Sequence, residues 1–135
     1  VSAAAIADYR PTQAASQKIK KQDGGFSIAL DQNPDILAGL GQDKGSRLLV
    51  GFATETENVV QNAERKLRSK NLDMIVANDV TQEGAGFAGD TNIVTLLDRA
   101  GNQEALPLMS KDDVAHAVYD RLFALKNGSG KSKKR

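Results

Sequence analysis

The stretch RLLVGFATETENVVQNAERKLRSKNLDMIVAN, residues 47–78, decides the fold. Arg47 to Ala53 is a run of apolar residues of the kind a strand needs when both faces of its sheet are covered. Thr54 or Thr56 can cap a helix over 57–69, in which Val59, Val60, Ala63 and Leu67 form one apolar stripe. Leu72 to Ala77 is a second apolar strand. Strand, helix, strand is the unit that builds a parallel sheet with a right-handed crossover.

Upstream, VSAAAI at Val1–Ile6 is small and apolar and predicts a buried strand. The polar segment from Ala7 to Gly25, with Pro11 and a closing Gly24-Gly25, predicts a loop with a short helical turn that could act as a flap. Phe26 to Leu30 alternates as a half-buried strand does. Asn33 offers an N-cap with Pro34 at the first helical position, followed by Ile36, Leu37 and Leu40 at helical spacing. Downstream, residues 78–90 predict a Gly-rich loop, and residues 92–97 and 104–109 a β-hairpin turning through Ala100-Gly101-Asn102. Pro107 belongs near a sheet edge. Ser110 with Asp113 has capping-box spacing and opens a helix with Val114, Ala117, Val118, Leu122 and Leu125 on one face, until Gly128. Residues 129–135 predict a basic disordered tail. The expected fold is α/β and Rossmann-like, three-layered, with a mainly parallel sheet plus a C-terminal hairpin and helix. A sheet of this kind opened by an apolar strand at residue 1 lacks elements on one side, so the N-terminal half of the domain is expected to be missing.

At 135 residues the chain has room for one core. Of its 18 basic residues, four are Lys131, Lys133, Lys134 and Arg135; without them 14 bases face 17 acids. The body is thus net acidic, and with two Tyr and four Phe it argues against a nucleic-acid face. The absence of Cys excludes disulfides, thiolate metal sites and a Cys nucleophile, and a single His speaks against a His-based zinc site. Apolar runs fall far short of a membrane span. A soluble, cytoplasmic domain is expected.

Three local features could carry chemistry. Asp8 follows the first strand, where the carboxyl ends of parallel strands open onto ligand crevices; there it could bind a ribose hydroxyl or Mg²⁺, or serve only as a cap or ion pair. Lys18-Ile19-Lys20-Lys21 could clamp phosphate, although such runs are usually solvated. Lys66 and Lys70 share a helix face, mildly unfavourable unless an anion sits between them, with a solvated face as the plainer alternative. His116 beside the last helix's stripe reads as structural, and Met74 and Met109 as packing. No Walker, GxGxxG or Ser-His-Asp pattern occurs. The residues by themselves support an anion or nucleotide site at the sheet's C-terminal edge.

Ser2-Ala-Ala-Ala-Ile-Ala-Asp-Tyr-Arg-Pro11, Lys18-Ile-Lys-Lys21, Asn33-Pro-Asp-Ile36, Gly51-Phe-Ala-Thr-Glu-Thr56, Lys66-Leu-x-x-Lys70, Asp73-x-Ile-Val-Ala-Asn78 and Phe87-x-x-Asp90-x-Asn92 follow one another in order. This series resembles the C-terminal part of the phosphopantothenoylcysteine synthetase domain of bacterial bifunctional coenzyme A biosynthesis flavoproteins, which join decarboxylase and phosphopantothenate–cysteine ligase activities. The resemblance covers nearly residues 1–126 and assigns 1–128 to that domain.

The resemblance implies ligation of 4′-phosphopantothenate to cysteine using CTP and Mg²⁺ through an acyl-cytidylate. It implies CTP contacts from Ser2, Ala3, Ala4, Asp8, Lys18, Asn33, Pro34, Asp35, Ile36, Phe52, Lys66 and Lys70. Lys18 would act on a closing flap as the catalytic residue, Asp8 would be the possible Mg²⁺ ligand, and Lys66 with Lys70 would hold the triphosphate. It further implies a homodimer, no nucleic-acid or membrane partner, and FMN only in a decarboxylase domain that this chain lacks. The family's Gly-rich opening and Ser-Asn-x-Ser-Ser-Gly motif have no counterpart here, so the isolated chain is expected to be inactive. The alternative is a noncatalytic nucleotide-binding or assembly fragment. A generic Rossmann-like oxidoreductase fits the α/β pattern but leaves the KIKK, NPDI and paired-Lys set unexplained.

Overall fold

The computed structural model describes residues 1–20, 23–82 and 89–129. They fall into two compact units, Ala4–Ile36 and Val1–Ala3 with the chain from Leu37 onward, each with its own architecture.

In the smaller unit, β1 (Tyr9–Pro11) and β2 (Leu30–Gln32) form an antiparallel ribbon with Tyr9 opposite Gln32 and Pro11 opposite Leu30. Thr12 N–H to Ala29 O at 3.0 Å and Asn33 N–H to Asp8 O at 2.8 Å extend the ladder at its two ends. Pro11 fits because either strand of a two-stranded ribbon has a free edge. Two expectations are corrected here. The segment read as loop from Ala7 contains β1, and the strand read at Phe26–Leu30 starts only at Leu30. The alternation of FSIAL signalled a buried face, yet Phe26, Ile28 and Leu30 are all more than half exposed. A two-stranded ribbon has no second layer of its own to cover one side.

The helix after the ribbon, α1 (Ile36–Gln42), begins three residues past the foreseen Asn33 cap. Asn33 instead commits its groups within the ribbon unit: its N–H goes to Asp8, its Nδ2 donates to Ala7 O at 2.8 Å, and its Oδ1 accepts from Arg10 Nη1 at 3.0 Å.

The larger unit contains β3 (Val50–Glu55), α2 (Val59–Ser69), β4 (Met74–Asp79), β5 (Thr91–Asn92), β6 (Val94–Asp98), β7 (Gln103–Ala105), β8 (Met109–Ser110) and α3 (Lys111–Ser129). Its sheet has the order β3-β4-β6-β7, while β5 and β8 form a separate short ladder. β3 and β4 run parallel from Val50 opposite Met74 to Glu55 opposite Asp79; β6 and β7 continue antiparallel.

Burial explains why residues 74–77 read as unbroken apolar sequence. Met74 and Val76 join Val50, Val94, Leu96, Leu106, Val114 and Val118 beneath α3. Ile75 and Ala77, pointing the other way, join Leu49, Ala53, Leu72 and Leu97 against Ala63 and Leu67 of α2. Helix, sheet and helix thus make the three layers foreseen, with the parallel pairing confined to β3, β4 and a bridge from Ser2 to Gly51.

That bridge corrects the strand at Val1–Ile6: Ser2 N–H donates to Val50 O at 2.8 Å, but Val1 and Ala3 to Ile6 are exposed. Alanine side chains bury too little area to hold a strand down. The cap of α2 is neither Thr54 nor Thr56 but Asn58, in the left-handed conformation (φ 47°) with no side-chain cap bond. β3 runs on through Glu55, which leaves only three residues to turn the chain, and Asn tolerates that geometry better than most. The capping box holds: Ser110 Oγ accepts from Asp113 N–H at 3.0 Å and donates to its carboxylate at 2.6 Å. Gly101, at φ 89°, turns the β6–β7 hairpin as foreseen. Gly41 is required by contact, since a Cβ there would lie 2.0 Å from Lys70 O. Residues 130–135 of the foreseen tail, residues 83–88 of the Gly-rich loop with Phe87 among them, and Lys21 lie outside the described residues.

Candidate functional site

The carboxyl end of the β3–β4 pair is the most informative surface of the larger unit. Along β3, Val50, Gly51 and Ala53 are buried while Phe52 is 41% exposed. Strand alternation puts Phe52 and Thr54 on the α3 side of the sheet, together with Val76 and Asn78 opposite them. Phe52 stays outside the core cluster on that face although Val76 opposite it is fully buried there, and its ring meets solvent. Asn78 is only 9% exposed, and among the described residues its Oδ1 is buried without a hydrogen-bond partner.

On the α2 side, Glu55 ends β3 and receives Lys66 Nζ at 2.7 Å, the lysine side chain being 45% and the glutamate 12% exposed. Glu55 thus supplies Lys66 with a counter-charge from within the chain, and the same carboxylate accepts from Asn62 Nδ2 at 3.2 Å. Lys70 is the C-cap of α2, half-buried, with its N–H on Lys66 O at 3.0 Å. Lys66 is a half-exposed cation with one anchored contact, available to a further anion on its solvent side.

Of the remaining foreseen residues, Ser2 is half-buried beside Gly51, and Ala3 follows it exposed. Ala4, Asp8, Lys18, Pro34, Asp35 and Ile36 are exposed residues of the smaller unit, where Asp8 and Asn33 are joined through the main chain. The expected helix start at Asn33 does not hold: α1 begins at Ile36, and the N–H of Asn33 serves Asp8 O. In the same unit, Ile19 of the KIKK run lines an apolar hollow of about 620 Å³ with Pro11, Phe26 and Ile28.

At the last position of β4, Asp79 anchors a tight turn. Its carboxylate accepts from Thr81 Oγ1 at 2.6 Å, Gln82 Nε2 at 2.9 Å and Thr81 N–H at 3.0 Å, and these bonds hold its pKa below the ordinary carboxylate value. Asp98, at the end of β6, is a structural carboxylate. Burial pushes its pKa up, but Asn102's side chain and N–H, Arg121 and Ala100 N–H together more than reverse this, leaving it lowered. Among the described residues no three His, Asp or Glu side chains gather as a metal cage, and no helix is long and apolar enough to cross a membrane. His116 is exposed on α3.

Sequence reading missed Glu55 as Lys66's partner, Arg10 as Asn33's, and the orphaned acceptor of Asn78. The first had a usable signal, a carboxylate at a strand's carboxyl end before a helix bearing an inward lysine; the other two depend on tertiary placement.

The family model described as the DNA/pantothenate metabolism flavoprotein C-terminal domain matches residues 1–125. The chain is 46% identical over 130 residues to the coenzyme A biosynthesis bifunctional protein CoaBC of Bacillus subtilis (strain 168), covering 96% of this chain and 32% of that protein. It is 41% identical over 126 residues to CoaBC of Escherichia coli (strain K12), covering 90% and 31%. The chain thus spans about a third of the length of these relatives. The crystal structure of the C-terminal domain of CoaBC is similar with a TM-score of 0.70 at 38% identity, over 92% of this chain and 53% of that one. A DNA/pantothenate metabolism flavoprotein from Streptococcus pneumoniae shares the fold, with a TM-score of 0.68 at 21% identity over 89% and 60%. On these matches the chain belongs to the DNA/pantothenate metabolism flavoprotein C-terminal domain family.

Proposed function

We propose that this chain carries most of the nucleotide site of a CTP-dependent phosphopantothenate–cysteine ligase working in cytoplasmic coenzyme A biosynthesis, with residues 1–128 as the C-terminal part of the ligase domain. The observation that carries the reading is the carboxyl half of β3, where an exposed aromatic ring at Phe52 stands on the α3 side of the sheet and Glu55, three residues on and facing α2, holds Lys66. An aromatic surface and a cation at the carboxyl end of parallel strands suit a base or sugar and a triphosphate. The relatives' role in coenzyme A biosynthesis supports the choice of substrates.

In this reading the carboxylate of 4′-phosphopantothenate attacks the α-phosphorus of CTP; a P–O bond forms, the bond to pyrophosphate breaks, and an acyl-cytidylate results. The cysteine amine then attacks the acyl carbon, loses a proton and displaces CMP. Activation is needed because a free carboxylate is a poor electrophile. Lys66 and Lys70 hold the triphosphate, which spreads charge during the first step. Ser2, Ala3 and Ala4 let the nucleotide approach the main chain, Asn33 to Ile36 read the base, and Lys18 neutralises phosphate and assists the second step. Asp8 offers one carboxylate for Mg²⁺; such an ion keeps several waters and binds mainly through substrate phosphates, so a single protein ligand fits. The metal would lower the negative charge that the attacking carboxylate meets. FMN has no role on these residues and belongs to the decarboxylase activity. The exposed edge strand β7 is the proposed homodimer contact.

The test uses the full-length protein that carries this chain, with CTP binding by calorimetry and pyrophosphate release driven by 4′-phosphopantothenate. Saturable CTP binding, preferred over ATP and lost in Lys66→Ala/Lys70→Ala, is the expected result. Nucleotide binding without pyrophosphate release would favour the noncatalytic alternative, and no binding would refute the reading.

A further inference from the structure

Asn78 is nine-tenths buried, and its Oδ1 is the buried side-chain acceptor that lacks a donor among the described residues. An amide oxygen removed from water without a partner is unfavourable, and native folds retain few of them. Its position gives the group a direction. Asn78 lies opposite Thr54 in the parallel register and on the same face as Phe52, one row further towards the carboxyl end, so a partly exposed aromatic, a threonine and the orphaned amide share one sheet face at the carboxyl end of both strands. A ligand resting on Phe52 would have Asn78 within its reach.

We propose that Asn78 Oδ1 is a ligand-binding acceptor that takes a hydrogen bond from a neutral O–H or N–H donor of the bound substrates, making it a binding residue beyond Phe52, Lys66 and Lys70. The inference rests on the ligase reading for the identity of those substrates. Two sources offer the same chemistry: the hydroxyl or amino groups of the nucleotide, and the hydroxyl and amide groups of 4′-phosphopantothenate.

The full-length wild type is compared with Asn78→Leu, which keeps the branched shape but removes the acceptor, and with Asn78→Ala, which removes it without demanding volume and carries the test if the leucine variant does not fold. Melting midpoints are measured without ligand, alongside Kd for CTP and KM for 4′-phosphopantothenate. The proposal expects the midpoint of the folded variant to stay level or rise, because an unsatisfied polar group has been removed, while ligand affinity falls about tenfold. A raised Kd for CTP places the donor on the nucleotide. A raised KM for 4′-phosphopantothenate at constant CTP affinity places it on the acid. Unchanged Kd and KM in a variant whose wild type is active overturn the role of Asn78 and leave the ligase reading standing. So does a lowered midpoint with unchanged affinity, which would mean that Oδ1 serves the fold through water. A wild type that neither binds CTP nor turns over overturns both.

Discussion

Asp98→Asn changes one atom and should be almost as damaging as deleting the side chain. The Asp98 carboxylate is 1% exposed and accepts four hydrogen bonds: from Ala100 N–H at 2.9 Å and Asn102 N–H at 3.0 Å on Oδ1, and from Asn102 Nδ2 and Arg121 Nη2, both at 2.8 Å, on Oδ2. Four donors converge on two oxygens. An asparagine offers only one, and either orientation sets its own NH₂ against two donors. The Arg121 guanidinium is 30% exposed and can recover part of its hydration, which moderates the loss of the ion pair. Losing two bonds, one of them charge-assisted, amounts to about 2–3 kcal/mol for Asp98→Asn. Asp98→Ala, which admits water to the exposed hairpin turn, should come within about 1 kcal/mol of that value. Urea denaturation at neutral pH measures both. The pH dependence supplies a second check with a definite sign. The folded pKa of Asp98 is lowered, so its stabilisation is fully present above the ordinary value of 3.8 and is lost as pH falls through the lower folded value. The stability gap between wild type and Asp98→Asn should therefore hold down to about pH 4 and close below it. An Asp98→Asn cost under about 1 kcal/mol, or a gap that is flat with pH, would refute the claim that ionised Asp98 ties the β6–β7 turn to α3.

Two further predictions follow from the same geometry and from the proposed chemistry. Gly41→Ala places a methyl group 2.0 Å from Lys70 O and 2.9 Å from its carbon, both main-chain atoms, so α1 must move; a loss of about 2–4 kcal/mol in thermal or urea unfolding is expected, and a loss below about 0.5 kcal/mol would mean that α1 is not seated there. Lys18→Gln in the full-length enzyme should slow consumption of the acyl-cytidylate about 100-fold while changing its formation far less, as single-turnover quench would show; an unchanged rate of amide formation removes Lys18 from the mechanism.

How much of the fold was legible follows from where burial is two-sided. Residues 47–78 could be read because β3 and β4 are covered by α2 on one face and α3 on the other, and only a run such as Met-Ile-Val-Ala satisfies both. The hairpin at Gly101 and the capping box at Ser110 were legible because their signals are local to a few residues. Reading failed where the apparent burial was not real. VSAAAI has the composition of a buried strand but holds only one bridge, and FSIAL alternates without a covered face. The Asn33-Pro34 start was misplaced because asparagine's side chain can serve a distant carbonyl as well as a helix end, and here Ala7 and Arg10 claim it.

The site was legible to the extent that residue type fixes role, and illegible where pairing fixes it. Lys66 and Lys70 could be singled out from their spacing, because two cations on one helix face ask for an anion. That Glu55 already pairs with Lys66 does not follow from the helix spacing, since it lies 11 positions away; its one signal is a carboxylate at the end of the strand preceding the helix. In the proposed reading this has a specific consequence: Lys66 would not wait as a bare charge for triphosphate but would share itself between Glu55 and the incoming ligand. Its contribution to nucleotide affinity is then the difference between two charge-assisted contacts, smaller than that of an uncommitted lysine, and Glu55 keeps the helix cation oriented while the site is empty. Asn78 is the reverse case. Its motif was visible in the sequence, but nothing in a sequence distinguishes an amide that completes a core network from one left without a donor on the same sheet face as an exposed ring. Only the register of β3 against β4, which sets Asn78 across from Thr54 and one row from Phe52, gives that amide a reason to remain unsatisfied until a ligand arrives.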